Sequence, residues 1–292
     1  MSQQISSIPL IKKVCKTTLQ FFKNNPALFL PFIIFAAVES IALILCYFAP
    51  RTPLIFIFGP IIRTFWGERF LHYPFNFFLL PKLTSLSRFA LSTIFGSLLT
   101  GMAVAIAFDI YNKKEVNLKA SFKSAAKKYI DLFTIVFIFS ALFYFLVKII
   151  AEGLLQYFLA GHSKLLFLKP ALWMGPILLC INFIIALFIQ SAFIYAIPLL
   201  IIGKEKLIHS ITGSFRLFFK KLLIPTLILV GLPMLIYIPI VLLNYNPAIL
   251  IDKFFPEFIL VVLFLGIVIS SLIIDPIVTI STASLYLISE QK

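Results

Sequence analysis

The chain has 292 residues, of which 61% are hydrophobic and 12% charged, and its 25 Lys and Arg against 11 Asp and Glu give a formal net charge of +14. A water-soluble domain is nearer half apolar and a quarter charged, so this composition excludes one. The apolar runs are continuous rather than alternating and reach the roughly 20 residues that cross hydrocarbon, which selects membrane-spanning helices over a closed barrel.

In chain order, the pattern predicts an all-α polytopic transmembrane bundle of about six spans in a single integral membrane domain, 1–292. A Lys-rich amphipathic stretch near 10–23 leads into a first span near 26–49. Segment 52–82 has a short apolar run, then Arg63, Trp66, Glu68, Arg69 and His72 among prolines. It reads as interfacial, with a re-entrant piece at 54–62 as the alternative. The second span is expected near 87–110. Thr93, Ser97, Gly101, Ala105 and Asp109 fall four apart on it, a small-residue stripe that lets helices approach closely and that could also mediate oligomerisation. A second Lys-rich stretch near 117–129 leads into a third span near 131–152. The fourth span is expected near 171–201, and a third basic stretch near 205–222 leads into the fifth, near 223–244. The last span is expected near 258–288.

The recurring unit, a cationic amphipathic lead-in followed by a span, sets the topology. With the N-terminus cytoplasmic, sixteen of the twenty-five basic residues fall on the inner side. The nine on the outer side, Arg88, Lys164 and Lys169 among them, are spread over longer loops. Both termini are therefore expected in the cytoplasm. The charges lie beside apolar spans without an aromatic-lined groove, so nucleic acid is not the expected partner. Anionic lipid headgroups on the cytoplasmic face are expected instead, at about 1 kcal/mol per basic residue near the surface. The expected contacts are Lys119, Lys123, Lys127, Lys128, Arg216, Lys220 and Lys221. Lys119, Lys123 and Lys127 form one helical stripe, with Leu118, Phe122, Ala125 and Tyr129 largely opposite. Other membrane proteins are possible partners. Cys15, Cys46 and Cys180 are scattered, with no pairing for a disulfide or a thiolate metal site.

Segment 101–133 reads GMAVAIAFDIYNKKEVNLKASFKSAAKKYIDLF, and segment 195–225 reads YAIPLLIIGKEKLIHSITGSFRLFFKKLLIP. The last span carries Asp275-Pro276 and ends near Leu285-Tyr286. This succession of span exits and amphipathic entries, over about 10–288, resembles the membrane-domain family fused to some glycerophosphoryl diester phosphodiesterases and its stand-alone bacterial relatives of unknown role. The resemblance implies a six-span helical protein of the cytoplasmic (inner) membrane. It does not carry phosphodiesterase activity, because no catalytic barrel follows. The Arg often found after the terminal Tyr is replaced here by Leu287, Ile288, Ser289 and Glu290.

Two acidic residues fall inside predicted spans, Glu39 near the middle of the first and Asp275 past the middle of the last. An isolated carboxyl in hydrocarbon costs several kcal/mol or stays protonated, so both should face the bundle interior. Asp275 shares a helical face with Ser271 and Thr279, and Pro276 frees the carbonyl of Leu272. Two readings follow: a polar cavity for a cation, a proton or a headgroup, or hydrogen-bonded carboxyls that hold helices together. No nucleophile elbow, phosphate-cradling loop, metal-spaced His pair or cofactor motif is present. Three function classes stand: a non-catalytic scaffold or modulator of lipids or membrane partners, a small transporter or permease component using Glu39 and Asp275, and a lipid-modifying enzyme, for which no polar constellation is found.

Overall fold

Six helices in the computed structural model are long and apolar enough to cross a membrane: Pro26–Phe48, Asn76–Tyr111, Tyr129–Ile150, Ile177–Ile201, Leu207–Leu235 and Phe258–Glu290. They are called spans 1 to 6 below. The structure describes residues 7–159, 170–245, 250–251 and 253–290. Lys164, Lys169 and Lys292 of the charge count lie outside them. Among the described residues the secondary structure is helical, with no strand, and the protein is an all-α polytopic membrane protein.

The three basic lead-ins converge on one end of the bundle. Phe21 of the first (Ser7–Asn24), Ala125 of the second (Leu118–Lys127) and Phe218, at the end of the third (Leu207–Leu217), all enter one apolar cluster. That cluster also holds Ala107 near the end of span 2 and Leu200 at the end of span 4. The first lead-in buries Leu10, Val14, Thr18 and Phe21 and leaves Lys12, Lys13 and Lys16 exposed. This is the three-to-four-residue spacing of one helix face. Ser214 of the third donates to the carbonyl of Ala192 in span 4 at 2.6 Å.

On the second lead-in, Asn117 caps the helix by accepting from the Ala120 amide at 3.0 Å. Its inward face is Ser121 and Ala125, four apart and both buried. Phe122, expected opposite the lysines, is 45% exposed. One position past the buried pair, it turns outward, where a lipid-facing ring costs nothing.

Several expected boundaries move. The helix of span 2 begins at Asn76 rather than near 87, so residues 76–82 are continuous with it. Pro81, which suggested a break, lies inside this helix in its second turn, where it removes one donor, to the Phe77 carbonyl, without ending the helix. The piece before it, Ile55–Phe65, has 11 residues and is about 16 Å long, too short to cross hydrocarbon. Phe56 and Phe65 on it are about three-quarters exposed. The third lead-in runs unbroken into span 5 through a π-helical stretch, Phe218–Leu222. A short helix, Ile238–Tyr245, then continues span 5 past Pro233 and a turn at Ile236–Tyr237.

The small-residue stripe of span 2 is internal. Thr93, Ser97 and Ala105 are buried, and so is Gly101. A Cβ on Gly101 would lie 2.7 Å from Leu132 Cδ1 and 3.4 Å from Ala125 Cβ. The stripe thus seats the second lead-in and span 3, and it is not free for oligomerisation. Gly101→Val is expected to lose about 1–3 kcal/mol in detergent unfolding. A clearly smaller loss is expected in a Leu132→Ala background, which vacates the clashing methyl.

Candidate functional site

A polar cluster sits where spans 1, 2 and 6 meet the end of span 5. Glu39 is buried at mid-helix of span 1 and faces two partners. Its Oε1 lies 2.8 Å from Arg88 Nε of span 2, an ion pair whose N–H is not aligned for a hydrogen bond. Its Oε2 accepts from Ser271 Oγ of span 6 at 2.5 Å. Arg88 also donates to Tyr237 Oη at 3.2 Å and to Ser270 Oγ. Its guanidinium stands 5.9 Å from the Tyr237 ring centre. Tyr237 lies at the turn after Pro233 and packs on Gly266, where an added Cβ would be 3.2 Å from Oη.

Arg88 is the residue that sequence reasoning missed. It was counted with the outer-side charges, but the early start of span 2 carries it three turns into the helix. The available signal was an Arg at the start of the apolar run 89–91, on a helix that Thr84, Ser85 and Ser87 do not interrupt. An intramembrane Arg has to face the bundle and find an acid.

Ser271 and Glu39, both named from sequence, are brought together. Asp275 and Thr279 line an adjoining cavity of about 220 Å³, with Asp275 still within electrostatic range of Glu39 and Arg88. Five spans line it: Phe35 of span 1; Ser92, Gly96, Thr100 and Val104 of span 2; Ile135 and Phe139 of span 3; Gln190 and Phe193 of span 4; and Asp275, Thr279 and Thr282 of span 6. Glu39 is not in the lining. Among the described residues no hydrogen bond or close ion pair holds Asp275, although the Arg88 guanidinium and the Glu39 carboxylate both act on it electrostatically across a longer gap.

Two departures from α-helix frame this cavity. Span 6 relaxes into a π-helical stretch, Val268–Ile274, just before Asp275. Pro276 has no N–H for the carbonyl of Leu272, which accounts for the widened turn. It also places Ser270 and Ser271 side by side toward the Arg88–Glu39 pair. Span 2 has its own π stretch, Ser92–Gly96. A Cβ on Gly96 would meet the Phe35 ring at 3.3 Å, so the missing side chain there lets span 1 close that wall. Span 4 is interrupted by a turn at Ile194–Tyr195, where fully buried Tyr195 hydrogen-bonds Thr226 of span 5.

The basic residues named from sequence lie on the surface at the lead-in end. Lys119, Lys123, Lys127, Arg216, Lys220 and Lys221 are exposed, while Lys128 is half-buried and pairs with Asp131 at 3.8 Å. In segment 52–82, Arg63 pairs with Glu68 at 2.9 Å. Among the described residues no three His, Cys, Asp or Glu side chains gather to hold a metal ion. Comparisons with protein-family models, with curated proteins and with solved structures find no match.

The two serines of span 6 carry different duties. Ser271→Ala removes the hydroxyl that Glu39 accepts from and is expected to cost about 1 kcal/mol, the scale of interhelical hydrogen bonds in membranes. Ser281→Ala, whose hydroxyl bonds only its own helix at Val278, is expected to cost less than half of that in the same unfolding assay.

Proposed function

We propose that this chain is a non-catalytic six-span protein of the cytoplasmic membrane, with both termini cytosolic. It acts as a scaffold or modulator of lipids or membrane partners through its basic end. The observation that carries the reading is the convergence of the three lead-ins. Cations separated by about a hundred residues in sequence share one end of the bundle, and six of the seven named ones face outward. Such a surface matches an anionic leaflet. The resemblance to the membrane domains fused to glycerophosphoryl diester phosphodiesterases points to the same kind of protein.

A second reading has its own observation. The cavity beside Asp275 supports a small transporter or permease component. In that reading Asp275 and Thr279 meet the cargo, and Glu39, tied to Arg88, fixes the helices around it.

A Cys-free background with Lys113→Cys or Lys204→Cys tests orientation: both thiols are expected to react with impermeant maleimide from the cytosolic side only. Lipid preference is read from spin-labelled phosphatidylglycerol and phosphatidylcholine around the reconstituted protein. Replacing Lys119, Lys123 and Lys127 with Gln is expected to weaken the preference for phosphatidylglycerol by up to about 1 kcal/mol per charge. An unchanged preference would reject the lipid-modulating role. A cation or proton flux in proteoliposomes that Asp275→Asn abolishes would select the transporter reading instead.

A further inference from the structure

The cavity lining carries one acidic group, Asp275, and no basic one, with the hydroxyls of Ser92, Thr100, Thr279 and Thr282 and the Gln190 amide around it. Asp275 offers two carboxyl oxygens that no described side chain hydrogen-bonds; Arg88, already paired with Glu39, acts on it only from a longer distance. Thr282 spends its hydroxyl proton on the carbonyl of Val278 at 2.7 Å, and Ser92 spends its own on the carbonyl of Phe89 at 3.0 Å. Both oxygens therefore present lone pairs to the cavity. A ligand that brings donors suits this lining. A carboxylate or phosphate would find the like charge of Asp275 opposed to it, with no lining Lys or Arg to offset it.

The charge that suits the cavity is cationic, and its form can be narrowed. A bare inorganic cation of the Ca²⁺ or Mg²⁺ type needs about six or more oxygens around it. Here one carboxylate and a few scattered hydroxyls face walls made largely of Phe35, Phe139, Phe193 and aliphatic side chains. Aromatic faces do suit an organic cation, by cation–π attraction and by contact with its carbon. The cavity volume is many times the roughly 10–15 Å³ that one water requires, so a headgroup-sized ligand fits.

Route of access narrows it further. Every lining residue lies within spans 1, 2, 3, 4 or 6. Asp275 is one residue past the midpoint of the 33-residue span 6. A lipid in the bilayer therefore has its acyl chains at the depth of the site, and its headgroup reaches Asp275 by entering between the helices.

We propose that this cavity is a binding site for a protonated amine, with Asp275 as counter-ion and Thr279, Thr282 and Gln190 as hydrogen-bonding neighbours. The amine is that of an amine-headed lipid or of a small free amine. The proposal rests on the chain being membrane-embedded, as in the proposed function, and not on the basic end binding anionic lipid. The two can fail separately.

Native mass spectrometry of the detergent-purified full chain tests it with three probes: phosphatidylethanolamine, the same lipid N-acetylated so that the cation is gone, and free ethanolamine. The wild type is expected to bind phosphatidylethanolamine at least tenfold more tightly than the N-acetylated form. Asp275→Asn is expected to remove that discrimination. Thr279→Phe, which fills the cavity and leaves the carboxyl in place, is expected to lower binding of the amine lipid and serves as the second arm if Asp275→Asn does not fold. Binding of free ethanolamine that competes with the lipid and is lost in the same variants would support the amine chemistry and identify a soluble source. Equal binding of the amine and N-acetylated lipids by the wild type, with no binding of ethanolamine, would overturn the proposal. So would discrimination that survives in both variants.

Discussion

The ion pair between Glu39 and Arg88 is the interaction on which the arrangement of this bundle depends. Neither charge is tolerable alone at mid-bilayer, where there is no water to solvate it. Each therefore forces its helix to find the other, and the hydroxyls of Ser270, Ser271 and Tyr237 complete the shell. The residues come from spans 1 and 2, span 6 and the turn that ends span 5. The apolar surfaces of these helices are interchangeable in lipid, because packing one greasy face on another gains little over packing it on acyl chains. The polar cluster supplies the directional constraint that greasy faces lack and sets which helices are neighbours.

With Glu39 committed to Arg88, Asp275 is left as the acidic group that meets space rather than protein. Helix irregularity follows the polar residues. The π stretch before Asp275 brings Ser270 and Ser271 to the clamp, and the π stretch at Ser92–Gly96 opens span 2 along the cavity wall. Pro276 is a local sequence cause of the first, and Gly96, at the end of the second, admits the Phe35 ring. Clamp and cavity are neighbours along span 6, one filled by the Arg88–Glu39 pair, the other open beside Asp275.

Much of this was legible in sequence because hydrophobic length and charge bias are strong signals. The six spans, the three lead-ins and the burial of Glu39, Ser271 and the 97–105 stripe could be read from spacing alone. Arg88 could not, because a count of basic residues by side treats every Arg alike and Pro81 hid the true start of span 2. The outward turn of Phe122 was hidden too: Leu118, Phe122 and Ala125 sit at adjoining angles on that helix, and only tertiary packing decides which of them faces in. That Glu39 is tied down while Asp275 lines a cavity needed the partners of Glu39, and partners 49 and 232 residues away in sequence leave no periodic trace. The break at Ile236–Tyr237 was likewise unmarked beyond Pro233, since its neighbours are all apolar.

The most direct measurement is a double-mutant cycle on the clamp, Glu39→Gln, Arg88→Met and both together, by reversible unfolding in mixed micelles. Removing one partner of a buried pair strands the other charge, at a cost of about 3–5 kcal/mol. Removing both strands neither. The double variant is therefore predicted to be at least about 2 kcal/mol more stable than the sum of the single losses implies. Losses that add within about 0.5 kcal/mol, as for independent sites, would contradict the claim that this pair organises the bundle.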